Sequence, residues 1–346
     1  MADHSLIEWT DATWNPITGC SVVSPGCTNC YAMKLAGTRL RNHPSRAGLT
    51  TMSKAGPVWN GQVRFNQNWL LQPLQWKTPR KIFVCAHGDL FADGVPDAWI
   101  DQVFAVMALA PQHTFQVLTK RSKRMREYLT AARAHPVGMQ ALGIVLEAHC
   151  GNPSSTVGAG IILEGDIAHL KVWPLPNVHL GVSTEDQQRA DERRDDLAEL
   201  AKQGWTTFVS YEPALGPIDW TGWEFLEQLI SGGESGRGAR PSHPDWHRAS
   251  RDFCDTRGIA YFFKQWGEWA PGEWVFDLDD YLCFVPDDTA VEVKGLSDHE
   301  RAQNRMIWSD GDRSPEGRGF LRVGKAAAGR LLDGVEHNGM PEVRHG

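Results

Sequence analysis

Short apolar runs alternate along this chain with longer segments of helical periodicity. The first clear run covers residues 81–86 and is rich in apolar, β-branched and aromatic side chains. A polar loop follows it, and residues 96–110 then place Ile100, Val103 and Phe104 at helical spacing on one face. This order predicts a strand, a loop and an amphipathic helix.

The same pattern recurs down the chain. Further strands are predicted at residues 114–120, 178–183, 207–212, 225–231 and 259–264. Helices are predicted at residues 122–133, 185–202 and 245–257. About six such units predict an α/β fold, a full or partial (β/α) TIM-type barrel of parallel strands, with polar residues gathered past the carboxyl ends of the strands. A doubly wound open sheet is the alternative.

Two segments break this rhythm. Residues 135–176 are rich in glycine with scattered proline and serine, which indicates an insertion or lid. Residues 271–346 contain acidic loops and one helical pattern at residues 323–332, and we interpret them as a C-terminal extension packed on the barrel. The expected organisation is a barrel domain over residues 1–270 that carries the insertion, followed by this extension.

Composition and charge narrow the function classes. The chain has 35 Lys and Arg against 42 Asp and Glu, a net charge of −7, which argues against a globally basic nucleic-acid-binding surface but leaves a local basic groove open. We find neither a signal-peptide pattern nor an apolar stretch long enough to cross a membrane, so we expect a cytoplasmic protein without a membrane partner. Most of the 15 tryptophans are expected in the core, whereas Trp14 and Trp266 flank predicted site loops and are candidates to stack on an adenine or a substrate base.

Three of the seven cysteines lie within eleven residues, at Cys20, Cys27 and Cys30, with the spacing C-x6-C-x2-C. A tetrahedral zinc site needs a fourth ligand, and the nearest downstream histidine is His43. Three thiolates with an open corner suit a [4Fe-4S] cluster better, because the fourth iron is left free to bind a substrate or cofactor. A zinc site closed by a remote histidine or by Cys85, and thiols with no shared role, are the alternatives.

Cys20, Cys27 and Cys30, placed ahead of a series of βα units, resemble the radical S-adenosylmethionine (SAM) superfamily. More closely, the chain resembles a phage- and prophage-associated family of radical-SAM-like proteins whose role is poorly defined. Apart from the cysteine loop, the segments that carry this resemblance are residues 7–16, 89–91, 116–121, 180–183, 210–213, 232–236, 263–267 and 329–334. The superfamily's common spacing is C-x3-C-x2-C with an aromatic residue before the last cysteine, whereas this chain has Asn29 there and a longer first gap.

The resemblance implies an enzyme in which the three cysteines are the metal ligands and catalytic centre of a [4Fe-4S] cluster. An electron donor of the flavodoxin or ferredoxin kind, or a chemical reductant, would reduce this cluster, and SAM would be cleaved to a 5′-deoxyadenosyl radical that abstracts hydrogen from the substrate. The substrate class suggested by a phage setting is a small molecule, a nucleotide or a nucleic-acid base, and the location would then be the host cytoplasm.

Polar residues after the predicted strands are the candidates for contacts with SAM. Gly232, Gly233 and Glu234 are expected to hold its amino-acid group, and Ser183 and Glu185 its ribose. The remaining candidates for cofactor binding are Asn15, Tyr31, Asp89, Lys120, Ser210, Glu212 and Lys264. Turns, helix caps and solvated strand ends are the structural alternatives at these positions.

Two other functions stay open from the sequence. One is a zinc-containing nucleic-acid-binding or structural protein that uses the same cysteines. The other is a protein that keeps the fold and the cluster, has lost SAM cleavage and acts by binding a partner.

Overall fold

The computed structural model describes residues 5–131, 143, 173–276, 282–287, 305–307 and 317–341. The strands among them are β1 (Ala12–Trp14), β2 (Ile17–Thr18), β3 (Thr50–Ser53), β4 (Gly56–Trp59), β5 (Arg64–Phe65), β6 (Lys81–Val84), β7 (Thr114–Thr119), β8 (Val178–Ser183), β9 (Thr206–Tyr211), β10 (Gln228–Gly232), β11 (Ala260–Gln265), β12 (Trp269–Phe276), β13 (Leu282–Pro286), β14 (Arg305–Ile307) and β15 (Gly317–Arg322). The helices among them are α1 (Tyr31–Gly37), α2 (Gln67–Leu70), α3 (Asp97–Ala108), α4 (Ser122–Ala131), α5 (Gln187–Lys202), α6 (Pro244–Arg257) and α7 (Lys325–Ala328).

Seven strands form one parallel sheet in the order β1-β6-β7-β8-β9-β10-β11. The strands of the sheet lie in the same order as in the sequence. Each new strand is therefore added at the same edge of the sheet, next to the strand before it. A doubly wound sheet reverses at a switch point, which excludes that alternative. The fold is an α/β half-barrel of parallel strands surrounded by helices, which confirms the prediction of a partial TIM-type barrel.

Burial explains why these segments form strands and helices. Every residue of β8, β9 and β10 is buried, as expected for parallel strands covered on both faces. The flanking helices bury one apolar stripe each, as α3 does with Ile100, Val103 and Phe104. Gly258, with a φ of 67°, ends α6 in a left-handed turn that glycine adopts without strain.

Two tryptophan predictions are corrected by the structure. Trp14 and Trp266 are 0% and 2% exposed, so neither ring has a face free to stack on an adenine or a base. Their indole N–H groups donate to the carbonyl oxygens of Trp69 and Leu331, which fixes both rings in the core. The expectation that most tryptophans are core residues is confirmed for the described part of the chain.

Between β1 and β6 the chain builds a small unit at the carboxyl end of the sheet. It contains the cysteine loop, which we define as residues 19–31, together with the short pairs β2·β5 and β3·β4. The loop carries one 3₁₀ turn, Pro25–Cys27, and runs directly into α1. The sequence pattern did not predict these short elements.

The C-terminal part contains a four-stranded antiparallel sheet in the order β13-β12-β15-β14. The helix predicted at residues 323–332 is restricted to α7, because Gly329, with a φ of 75°, ends it after one turn. Asp333 then binds Arg248 and Arg251 of α6, which ties this segment to the half-barrel. The predicted insertion lies largely outside the described residues, and within those residues no helix is both long and apolar enough to span a bilayer.

Candidate functional site

The cysteine loop brings three free thiols to the carboxyl end of the sheet. Cys27 is buried, Cys20 and Cys30 are partly buried, and Cys27 interacts electrostatically with both of the others. Burial raises the pKa of Cys20 to about 12 and also raises the pKa of Cys30. A bound cation would favour the thiolate forms that burial alone disfavours.

The sulfur atoms already have polar neighbours. The Nη1 atom of Arg121 lies 3.5 Å from the Cys20 Sγ and donates to it, and the Ser24 Oγ lies 3.8 Å from the Cys27 Sγ. The described residues contain no group of three or more His, Cys, Asp or Glu side chains arranged to hold a single metal ion. In a cuboidal cluster each thiolate would bind its own iron, so the sulfurs need not converge on one point.

The end of β7 holds the start of the loop through Arg121. This guanidinium donates to the Ser21 carbonyl oxygen at 3.2 Å and to a carboxylate oxygen of Asp89 at 2.9 Å. Asp89 also accepts hydrogen bonds from the Thr119 hydroxyl and the Lys120 backbone N–H. The predicted site residue Asp89 is therefore buried and engaged with the strand end.

The end of β8 holds the middle of the loop through Glu185. Its side chain is fully buried and accepts from the Ser24 hydroxyl at 2.6 Å, while Lys120 and Arg193 form ion pairs with it at 2.9 Å each. Burial alone would raise the pKa of Glu185, but the two cations outweigh it and lower this pKa to about 2. Glu185 is ionised at neutral pH and draws the loop against the sheet.

Gly26 shows how closely the loop approaches Glu185. A Cβ atom on Gly26 would lie 2.4 Å from the Glu185 Oε1, well inside van der Waals contact. Gly26 belongs to the 3₁₀ turn, and its lack of a side chain lets the backbone of the turn come this close to the carboxylate.

The end of β10 holds the last part of the loop through Glu234. Its Oε2 accepts from the Asn29 side-chain amide at 3.0 Å, and Arg240 binds both carboxylate oxygens. Burial would raise the pKa of Glu234, but the hydrogen bonds from Arg240 and Asn29 lower it. Arg240 also donates to the Pro25 carbonyl oxygen at 3.1 Å, so one strand end contacts the loop on both sides of Cys27.

The end of β6 completes the support. Gly88 pairs with Gly19 in a short parallel bridge, and the Tyr31 hydroxyl donates to the Ala86 carbonyl oxygen at 2.6 Å. The side-chain oxygen of Asn15 accepts from the His87 backbone N–H at 2.9 Å. The predicted site residues Asn15 and Tyr31 thus connect the loop region to β6.

A second group of predicted residues lies where β9, β10 and β11 end. Lys264 binds the Glu212 Oε2 at 2.8 Å, and the Glu212 Oε1 is buried without a hydrogen-bond partner among the described residues. This oxygen faces Gly232, since a Cβ atom there would lie 3.2 Å from it. Gly233 packs so tightly that a Cβ atom would lie 1.9 Å from the Trp266 carbonyl oxygen.

Ser183 and Ser210 are buried partners in register on β8 and β9. Their backbone carbonyl oxygens accept hydrogen bonds from Arg193 and from the Thr184 N–H. The structure therefore brings the predicted polar residues together at one edge of the sheet, in one group around the cysteine loop and one around Glu212.

Sequence reasoning missed three residues that build this arrangement. Ser24, Arg193 and Arg240 complete the contacts of Glu185 and Glu234 with the loop. Arg193 lies on the helix that follows Glu185, and a search of that helix for a cation two turns into it would have found it. Ser24 and Arg240 sit in loops, where no periodic pattern marks a partner.

By number and atom type, the donors on the cysteine loop suit an iron–sulfur cluster. Three thiols on one loop match the three protein ligands of a cluster with an open corner. The buried, unpaired Oε1 of Glu212 is an acceptor suited to an ammonium group such as that of SAM.

Comparisons with known proteins add one family and one structure. The model of a family described as "Protein of unknown function (DUF5131)" matches residues 4–341. Among solved structures, the chain is similar to a spore photoproduct lyase complexed with dinucleoside spore photoproduct, with 11% sequence identity and a TM-score of 0.34 over 88% of this chain and 67% of that chain. No curated protein sequence matches the chain.

Proposed function

We propose that this chain, which belongs to the DUF5131 family, is a radical SAM enzyme that acts on a small-molecule or nucleotide substrate. One observation carries the proposal: the loop with Cys20, Cys27 and Cys30 is held by buried side chains from the ends of three parallel strands, β7, β8 and β10. Such a loop is placed at the edge of the sheet where parallel half-barrels bind ligands.

Cys20, Cys27 and Cys30 would hold the [4Fe-4S] cluster and leave its fourth iron open. When bound, the cluster supplies the single electron that cleaves the sulfonium of SAM, and an electron donor of the flavodoxin or ferredoxin kind is the partner this requires. Arg121 donates toward the Cys20 sulfur, and hydrogen bonds to cluster sulfurs tune the reduction potential.

The chain's own residues divide into two roles. Arginine or lysine side chains already bind Asp89, Glu185 and Glu234. We therefore infer that the main role of these carboxylates is to position the loop rather than to bind a ligand. Glu212 keeps one buried oxygen unpaired beside Gly232, which makes it the leading acceptor for the amine of SAM.

The other candidates complete this binding arrangement. Lys264 holds the Glu212 carboxylate in place through an ion pair at 2.8 Å. Ser183 and Ser210, at the neighbouring strand ends, are the candidates for the ribose hydroxyls. Because Gly233 has no side chain, its backbone packs closely against Trp266, and this packing fixes the backbone position of the neighbouring Gly232.

Anaerobic reconstitution with iron and sulfide tests the cluster. We expect about four iron atoms per chain in the unmodified protein, with a large loss in C20A, C27A and C30A. The matched control is C254A, which removes a buried free thiol on α6 outside the loop and should retain its iron. Equal iron content in all four variants, or stoichiometric zinc without iron, would refute the cluster.

A second measurement tests the reaction. The reconstituted protein is reduced with dithionite, mixed with SAM and assayed for 5′-deoxyadenosine by mass spectrometry, with and without candidate nucleosides. We expect 5′-deoxyadenosine from the unmodified chain and a loss of at least about tenfold in E212Q, because its amide replaces a charged acceptor for the SAM amine. A stable cluster that yields no 5′-deoxyadenosine would instead support a protein that binds a partner.

A further inference from the structure

The cations at the carboxyl edge of the sheet are matched by carboxylates. Lys120 and Arg193 bind Glu185, and Lys264 binds Glu212. Because carboxylates neutralise these cations, the cations attract an anionic ligand only weakly.

Arg46 differs from all of them. Its side chain is 4% exposed, and no carboxylate among the described residues forms an ion pair with it. Its Nη1 donates to the Ser45 hydroxyl at 2.7 Å and to the Ser45 carbonyl oxygen at 3.3 Å, whereas its Nε–H is buried and has no partner among the described residues. The Trp69 ring is its other partner, with the Arg46 Cζ 5.9 Å from the ring centroid. A guanidinium withdrawn from water without a counter-ion is costly for a folded chain.

A second cation increases this cost. Arg64 lies close enough to repel Arg46, and its own hydrogen bonds run to the carbonyl oxygens of Pro44 and Ala47. Burial and this repulsion lower the pKa of Arg46 to about 10, although the Tyr31 hydroxyl opposes the shift. Two neighbouring guanidinium groups therefore share one region in which the described residues supply no anion.

The side chains that interact with Arg46 include one from the cysteine loop. Tyr31 and His87 interact electrostatically with Arg46, and their rings meet edge to face with centroids 5.9 Å apart. Tyr31 is 49% exposed, so one edge of this group of side chains lies at the surface. The Nδ1 of His87 is a second buried polar atom without a partner among the described residues.

We propose that Arg46 and His87, with Tyr31 as a side wall, form an anion-binding subsite that takes a phosphate or carboxylate group of a small molecule. The guanidinium fork of Arg46 supplies the charge and planar donors that oxyanions of both kinds accept. The His87 Nδ1, when it carries the proton, adds a neutral donor. The bound anion would satisfy the two polar atoms that the described chain leaves unpaired.

This subsite stands apart from the proposed function, because it needs neither iron nor SAM. It lies beside the cysteine loop, since Tyr31 directly follows Cys30. A substrate with an anionic group would be oriented there if the radical SAM proposal holds, and the anion would still bind if it fails.

Thermal unfolding of the full chain as purified tests the subsite. Sodium phosphate and sodium acetate are titrated in separate arms at constant ionic strength set with sodium chloride. We expect the Tm to rise with one or both anions, as it does when a ligand binds only the folded state. The responding arm identifies the class as phosphate or carboxylate.

The variant R46M removes the charge and keeps a long side chain, and R41M removes the charge of an exposed arginine five residues earlier. We expect R46M to weaken anion binding by at least about tenfold and R41M to leave it unchanged. Without added anion, R46M should be as stable as the unmodified protein or more stable, because a poorly compensated buried charge is lost.

Three results would overturn the proposal. The first is an unmodified protein whose Tm responds to neither anion. The second is an equal response in R46M. The third is a clear loss of stability in R46M without anion, since Arg46 would then be a structural residue.

Discussion

Replacing Glu185 by glutamine removes the charge that joins the cysteine loop to β8. The carboxylate is 0% exposed and faces Lys120 and Arg193, with Ser24 of the loop as its third partner. Glutamine keeps the size and one acceptor oxygen, but it leaves two cations without their counter-ion. The variant therefore tests electrostatics rather than packing.

The size of the expected loss of stability follows from the pKa of Glu185. The two cations lower the pKa of Glu185 from its usual 4.5 to about 2, which corresponds to about 3 kcal/mol of stability at neutral pH. Breaking a buried ion pair by removal of one partner costs a similar amount, about 3–5 kcal/mol. We expect E185Q to lower the free energy of unfolding by about 3 kcal/mol.

Urea unfolding followed by circular dichroism measures this difference. Because the folded-state pKa of Glu185 is depressed, its contribution is fully present above pH 4.5 and is lost as the pH falls toward 2. The gap between the unmodified protein and E185Q should thus be full at pH 7 and shrink at pH 3. The control E192Q alters an exposed glutamate on α5 and should change stability by less than about 1 kcal/mol. A gap below about 1 kcal/mol, or one that does not depend on pH, would refute the reasoning.

Two further predictions concern packing and pH. G233A forces a Cβ atom to within 1.9 Å of the Trp266 carbonyl oxygen, and we expect the free energy of unfolding in urea to fall by about 3 kcal/mol. G216A, whose Cβ would lie 3.6 Å from its nearest neighbour, should cost less than about 1 kcal/mol, and equal effects would contradict the packing argument. Burial lowers the pKa values of His247 and His87 to about 3 and about 4, so below pH 6.5 only the unfolded chain takes up their protons. The free energy of unfolding measured in urea should fall between pH 6.5 and pH 5, with a slope that approaches about 1.4 kcal/mol per pH unit for each histidine, and a flat profile would count against both shifts.

The main sheet could be predicted from the sequence because its strands are short, buried on both faces and followed by long helices. The strand Val178–Ser183 has the predicted bounds, Thr114–Thr119 ends one residue earlier than predicted, and Thr206–Tyr211 begins and ends one residue earlier than predicted. The first strand, Ala12–Trp14, has only three residues and so gives too short a run for a period to be recognised. The antiparallel sheet that begins at Trp269 was not predicted, because polar segments separate its strands in the sequence.

The sequence indicated which residues lie in the site, but it indicated less well which side chains they bind. Residue type and position after a strand indicated Glu185 and Glu234, since a carboxylate at that edge faces the interior of the half-barrel. The partners Ser24 and Arg240 could not be foreseen, because they lie in loops that only the fold brings to these carboxylates. Arg193 lies on the helix after Glu185 and could have been found by a search of that helix. The sequence also offered no sign that Arg46 is buried, since it lies in a polar segment.

The position of the cysteine loop depends on buried ion pairs at the ends of the parallel strands. Each supporting carboxylate is buried and bound by a cation, so its charge is held in place and cannot simply turn to solvent. The thiols of Cys20 and Cys30 are partly buried, and this burial favours their protonated forms. Positive charge at the sulfurs favours release of these protons, and Arg121 places such a charge 3.5 Å from the Cys20 Sγ. Because Arg121 is also bound to Asp89 at the end of β7, the sheet holds a cation where a cluster-ligating thiolate would need one.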